Sequence, residues 1–140
     1  TLDEEIFMRD RFRPGQHWHT IEGAFYFFHQ GYHYLMYSGA CYQNPTYFIG
    51  YCTAHAPQEA DLRTLPWQKF PDAHTYLPLM KKNAFMEGMG HNSVLFDGGK
   101  CYIVYHGRDL SDAQNPVDIR CARIDEMHVG QGRLSVTPTP

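Results

Sequence analysis

One six-residue pattern occurs twice in this chain. Tyr34-Leu35-Met36-Tyr37-Ser38-Gly39 returns as Tyr102-Ile103-Val104-Tyr105-His106-Gly107, an offset of 68 (102 minus 34). Each copy follows a strand-like run and a glycine-containing turn. Each also precedes a further run, Phe48-Ile49-Gly50-Tyr51-Cys52 in one case and Asp118-Ile119-Arg120-Cys121-Ala122 in the other. A repeat of this length restricts the fold, because each copy is a supersecondary unit that cannot bury its apolar face alone and must stack on a neighbour. The unit has the strand content of a propeller blade, an antiparallel four-stranded meander arranged radially, and about four to eight such blades close a ring. The expected class is therefore all-β, with about two to three blades in a chain of 140 residues and the rest of the ring supplied from elsewhere. A β-sandwich with an accidental internal likeness is the competing fold.

The remaining patterning agrees with strands. Short runs of Tyr, Phe, Ile and Val, bounded by Gly, Pro, Asn and Asp, recur along most of the length, and helical periodicity is nearly absent. The runs predict strands over 20–28, 32–38, 47–53, 91–96, 101–106, 117–124 and 133–137. Gln30-Gly31 and Asp97-Gly98-Gly99 are the expected hairpin turns. Between Ala56 and Lys82, four prolines limit any strand to a short piece around Trp67–Phe70. The expected division is an entry segment over 1–20, one blade region over 21–85 and the next over 86–140.

Twelve Lys and Arg against fifteen Asp and Glu give a formal charge of −3, which provides no basic footprint for a phosphate backbone or an anionic membrane. Neither nucleic acid nor membrane is an expected partner, and no apolar run approaches the roughly 18 residues of a spanning helix. Cys41, Cys52, Cys101 and Cys121 form no CxxC pair and have no zinc-type spacing, so reduced buried thiols are expected. With no signal or transit peptide evident, the expected location is cytoplasmic, although a chain that starts at Thr1 need not start where the protein does. Aromatic residues make up 15% of the chain, and ten of them are Tyr, a composition suited to half-wet grooves.

Three polar residues stand out against this background. Glu22, in Ile21-Glu22-Gly23-Ala24-Phe25, sits among apolar neighbours at the start of a strand, a setting that disfavours a charged carboxylate and suits a general acid. A lone strand Glu can equally be an edge or salt-bridge residue. His91 enters a strand through Gly88-Met89-Gly90, and the offset of 68 carries Gly23 onto it. Equivalent starts of innermost strands converge on a propeller's axis, so Glu22 and His91 are expected to face one solvent-reachable cavity. A core histidine satisfied by backbone is the plainer reading. Arg120 is expected on a strand, sharing a face with Asp118 and Ala122, where its permanent charge needs an anionic or hydroxyl-rich partner. Arg123 would face the other way in a structural role. His17 and His19 have no third metal ligand nearby and are placed on a loop rim, with Trp18 as a sugar-stacking platform. The cluster Tyr105-His106-Gly107-Arg108-Asp109 either shapes the cavity or turns the chain.

In ordered combination, Ile-Glu-Gly-Ala-Phe at 21–25, Gly-Tyr-His-Tyr-Leu-Met-Tyr-Ser at 31–38, Phe-Ile-Gly-Tyr-Cys-Thr-Ala at 48–54, Gly-Met-Gly-His-Asn-Ser at 88–93 and Tyr-Ile-Val-Tyr-His at 102–106 resemble the five-bladed propeller glycoside hydrolases of family 43. These act on arabinose- and xylose-containing glycosides, and the resemblance covers about Ile21 to Pro140, the C-terminal half of such an enzyme. It implies that Glu22 is the general acid and that Arg120 lies near the sugar. It also implies that His91 is the axial histidine, which in some members helps hold a calcium ion through water. No cofactor is otherwise required. Phe25 and Trp18 join Arg120 and His91 as expected substrate contacts.

The family inverts at the anomeric carbon and needs a base carboxylate about 6.5–9.5 Å from the acid. In the family the base and an Asp that tunes the acid come from earlier blades, and Asp3, Glu4, Glu5 and Asp10 match neither motif. The expected function is thus that of a glycosidase fragment of the α-L-arabinofuranosidase or β-xylosidase type, supplying the acid and lacking the base. Its expected partners are an arabinan-, xylan- or arabinoxylan-derived saccharide and either the missing half of the propeller or another copy of the chain. A non-catalytic carbohydrate-binding or degenerate propeller fragment is the alternative. A related propeller enzyme acting on fructosides would also use a Glu, in a Cys or Pro environment that Glu22-Gly23-Ala24 lacks.

Overall fold

The computed structural model of the chain describes residues 20–75 and 77–140. His17, Trp18, His19 and the acidic residues at positions 3, 4, 5 and 10 lie outside the described residues.

Among the described residues, eight strands form two four-stranded antiparallel sheets. The first contains β1 (Ile21–His29), β2 (Tyr32–Gly39), β3 (Phe48–His55) and β4 (Gln68–Lys69), hydrogen-bonded in chain order. The second contains β5 (Met86–Asp97), β6 (Lys100–Asp109), β7 (Cys121–Gly130) and β8 (Arg133–Val136), again in chain order. Each is a simple meander, and the two are successive propeller blades. Both β1–β2 and β5–β6 close through two-residue turns with positive φ at each position, 47° and 83° at Gln30-Gly31 and 55° and 77° at Gly98-Gly99. That backbone matches the right-handed twist of the flanking strands.

The internal repeat extends to the register of the ladders. Glu22 pairs with Ser38 and Gly90 with His106, and the pairing shifts between Glu22 and Phe25 in one blade and between Gly90 and Ser93 in the other. All of these positions differ by 68, as do Gly23 and His91, which carry φ of 62° and 53°. The two blades therefore share one bulge in the innermost strand, a device that bends a strand and re-aims its side chains.

The correspondence then slips. Ser38 pairs with Ile49 of β3, whereas His106 pairs with Ala122 of β7, an offset of 73 (122 minus 49). Five extra residues separate β6 from β7, and a 3₁₀ turn at Leu110–Asp112 opens that longer connection. The expected strand over 117–124 is therefore displaced to Cys121–Gly130, and Asp118 and Arg120 lie in the loop before it rather than on a shared strand face.

The core lies between the blades. Tyr34, Met36, Ile49 and Tyr51 from the first sheet meet Met86, Met89, Ile103 and Met127 from the second, and all are buried. Fully burying side chains of this size contributes about 1.5–3 kcal/mol each. The two tyrosines keep their polar ends satisfied across the junction, because the Gly132 amide donates to the Tyr34 hydroxyl and the Leu134 amide to the Tyr51 hydroxyl, each at 3.1 Å. Burial pushes the Tyr51 phenol up to about 12. On the opposite face of the second sheet, Leu95 pairs with Tyr102 and Ile124 with Val104. Leu95 and Ile124 remain 49% and 56% exposed there, an apolar surface without cover among the described residues.

All four cysteines are free thiols, with Cys52 and Cys101 buried and Cys101 pushed up to about 11 by burial. Cys121 is exposed, contrary to the expectation of a buried thiol, because it opens β7 just where the long loop ends. Among the described residues no helix is long and apolar enough to cross a membrane.

Candidate active site

The starts of β1, β3 and β7, the ends of β2 and β6 and the bulge of β5 lie at one end of the two sheets. Glu22 enters this end on the innermost strand of the first blade and is half-buried. The Tyr47 hydroxyl donates to its Oε1 at 2.7 Å. On the facing strand, Ser38 pairs with Glu22 through the backbone and accepts a 2.6 Å hydrogen bond at Oγ from the His91 amide. Ser38 thus joins Glu22 of one blade to His91 of the next.

His91 itself is exposed, so the reading of a buried core histidine does not hold. Its imidazole lies over Gly23, where a Cβ would fall 3.2 Å from both its Cα and its Cγ. Glycine is needed here for two reasons, the close approach and the positive φ. His106, at the position equivalent to Ser38, stacks on Tyr47 with centroids 5.7 Å apart and planes 15° apart. Burial, then the charges of Arg120 and His91, hold His106 below the ordinary imidazole range.

Arg120 reaches the same end from the β6–β7 loop. Its guanidinium lies 4.5 Å from the centroid of the Tyr42 ring, and its Nε lies 2.9 Å from Asp118 Oδ2. The charge of Arg120 acts on both Tyr47 and His106. Phe25 is partly buried and packs on the core cluster between the blades. The structure therefore brings Glu22, His91 and Arg120 to one end, with Tyr47 and His106 between them.

Arg108, left open in the sequence between cavity and turn, is buried and structural. Its Nη1 donates to Asp118 Oδ1 at 2.8 Å and to the Tyr42 carbonyl at 3.3 Å, and its Nη2 donates to Glu87 Oε1 and the Gln43 carbonyl at 3.4 Å each. Glu87 is also held by Lys82 at 2.8 Å, and Asp109 is paired with Arg123. This network ties the β2–β3 loop, which carries Tyr42, to the β6–β7 loop, which carries Arg120.

Sequence reasoning missed Tyr47, and it named His106 only as part of the cluster that shapes the cavity or turns the chain. Tyr47 lies in a turn before a strand, and only the two-blade packing takes its hydroxyl to Glu22. The repeat did carry a signal for His106, since the position aligned with Ser38 beside Glu22 holds an imidazole.

No metal cage is formed by three or more His, Cys, Asp or Glu among the described residues. Calcium takes about six to eight oxygen ligands, and this end of the chain offers two imidazoles, Glu22 already engaged by Tyr47 and Asp118 already held by Arg108 and Arg120. These residues do not by themselves fit a calcium ion.

Two successive antiparallel four-stranded blades are part of a β-propeller. Solved structures place the chain more closely. A thermostable family-43 glycoside hydrolase is 34% identical over 86% of this chain and 38% of its own, with a TM-score of 0.63. An endo-1,4-β-xylanase from Bacteroides thetaiotaomicron is 25% identical over 86% and 38% of the two chains, with a TM-score of 0.65. An α-L-arabinofuranosidase from Lactobacillus brevis is 25% identical over the same shares, with a TM-score of 0.67. The chain belongs to glycoside hydrolase family 43, and it spans 38% of the length of these relatives. No protein-family profile and no curated protein matches it.

Proposed function

We propose that this chain supplies two blades, and the general acid Glu22, to a glycosidase that hydrolyses arabinose- or xylose-containing glycosides with inversion. The observation that carries the reading is the setting of Glu22, a half-buried carboxylate at the axial end of an inner strand, fixed through Oε1 by Tyr47. In this mechanism the Glu22 proton passes to the glycosidic oxygen as the bond to the anomeric carbon breaks. A water attacks the opposite face and gives its proton to a base carboxylate about 6.5–9.5 Å from the acid. Glu87, Asp109 and Asp118 are each tied to a buried or half-buried arginine, which unfits them for that role, so the base is assigned to a blade outside the described residues. Arg120 and His91 contribute hydrogen-bond donors to sugar hydroxyls. A calcium ion on the axis, with His91 reached through water, would draw its oxygens from solvent or from other blades.

The test is Glu22→Gln in the complete enzyme, assayed on aryl arabinosides and xylosides. Acid catalysis contributes about 10²–10⁴-fold, and an activated leaving group needs little of it. Phenyl glycosides should lose turnover by that order while dinitrophenyl glycosides lose far less. Equal losses on both would remove Glu22 from the acid role. A chain that binds pentose oligosaccharides but gains no activity when joined to its remaining blades would instead support the carbohydrate-binding alternative.

A further inference from the structure

Tyr47 closes the β2–β3 loop, where the Asn44 amide donates to the Cys41 carbonyl at 2.9 Å and the Tyr47 amide to the Asn44 carbonyl at 3.2 Å. Its ring is fully buried. It lies so close to Gly90 that a Cβ on that glycine would fall 1.8 Å from Tyr47 Cε1, and it stacks on His106. Both of those neighbours belong to the second blade, whereas Glu22 belongs to the first. The position of the phenol is thus set by the packing of one blade on the other. Burial, followed by the hydrogen bond to Glu22, raises the Tyr47 phenol far above its ordinary range. It therefore stays protonated, and toward Glu22 it acts as a donor.

We propose that Tyr47 is the positioning residue of the general acid, holding Glu22 through Oε1 so that the transferable proton sits on Oε2 and faces the glycosidic oxygen. This rests on the assignment of Glu22 as the acid. In the step itself the Glu22 O–H bond breaks, the glycosidic oxygen gains the proton, and the electron pair of its bond to the anomeric carbon leaves with the aglycone. Water oxygen bonds to the anomeric carbon and yields its proton to the base. Tyr47 begins and ends protonated. A hydrogen bond to an ionised carboxylate is stronger than one to a neutral acid, so the contact strengthens as the proton leaves, and only interactions that strengthen in this way accelerate chemistry.

The experiment is Tyr47→Phe in the complete enzyme, run beside Glu22→Gln. Phenylalanine keeps the ring between Gly90 and His106 and deletes only the donor. Turnover of phenyl glycosides should fall about 10- to 100-fold, the range of a hydrogen bond to a charged group. Dinitrophenyl turnover should stay near the parent value, which also certifies folding. The loss should appear in kcat with KM little changed, because the contact strengthens only as the proton leaves. Equal losses with both leaving groups, or a loss confined to KM, would overturn the proposal. If Glu22→Gln spares phenyl glycosides, the acid assignment fails. If Glu22→Gln abolishes their turnover and Tyr47→Phe does not, only the role of Tyr47 fails.

Discussion

Gly23 and His91 occupy the same place in successive blades, and they touch. Both residues take the left-handed step of the inner-strand bulge, at φ 62° and 53°. At the first position the His91 backbone and ring crowd any side chain, with 3.2 Å to each from a Cβ built on Gly23. At the second position a histidine accepts the strained backbone and covers the glycine. One backbone device, repeated with two different residues, places an imidazole beside Glu22 without altering either sheet.

Gly23→Ala should therefore destabilise the fold. The left-handed backbone alone costs an L-residue about 1–2 kcal/mol, and the approach to His91 adds to it. Urea unfolding of the parent and the variant, compared at equal slope, measures the difference. A loss within about 0.5 kcal/mol, the range of an ordinary surface change, would show that the bulge relaxes freely.

Arg108→Met should cost more. The guanidinium is 6% exposed, as is its partner Glu87, and Asp118 is 28% exposed. Removing one member of a buried ion pair costs about 3–5 kcal/mol, since the other is left charged and unpaired. The lower end is expected because Lys82 still holds Glu87. Arg108→Met combined with Glu87→Gln should recover part of the loss. Denaturant midpoints decide this, and an unchanged midpoint for the single variant would contradict a structural role for the network.

Much of the fold was legible because period-two patterning and glycine turns are local. The strands flanking Gln30-Gly31 and Gly98-Gly99 lie within a few residues of their predicted places, and the short strand near Trp67–Phe70 is present as Gln68–Lys69. β7 is placed too early in the sequence because Asp118–Ala122 is set against Phe48–Cys52, an offset of 70 (118 minus 48), whereas the ladders pair at 73 (122 minus 49), and no apolar pattern marks the added residues after Asp109. Arg120 was accordingly given a strand face that it does not have. Arg108 and Tyr47 were illegible for a different reason. Their partners Glu87, Asp118 and Glu22 are 21, 10 and 25 positions away, and only the stacking of two sheets makes them neighbours.

His106 gives the stability a pH dependence with a definite sign. Its folded-state pKa is depressed, first by burial and then by Arg120 and His91, so the unfolded chain binds its proton more readily. The stabilisation is present above the unfolded imidazole value, about 6.5, and is lost as pH falls through the folded value. Unfolding midpoints should fall from pH 8 to pH 5, and His106→Gln should reduce that dependence. Parallel pH profiles for the parent and the variant would show that His106 does not contribute.

The 140-residue chain by itself should be inactive and adhesive. On the proposed reading the chain holds an acid without a base, which leaves the attacking water unactivated, and Glu87, Asp109 and Asp118 are bound by Arg108, Arg120 and Arg123. Among the described residues, the second blade also leaves Leu95 and Ile124 on an uncovered face, the kind of apolar surface that marks an interaction site. The purified chain is therefore expected to show negligible hydrolysis of aryl arabinosides and xylosides and to elute larger than a monomer. Joining it to blades that carry a base carboxylate should give turnover and a monodisperse species together. Activity and size, measured on the same preparation, decide the point: a well-behaved monomer that cleaves an aryl pentoside at an ordinary enzymatic rate would mean that a base lies within these residues, and Asp109 or Glu87 would have to leave its arginine to provide it.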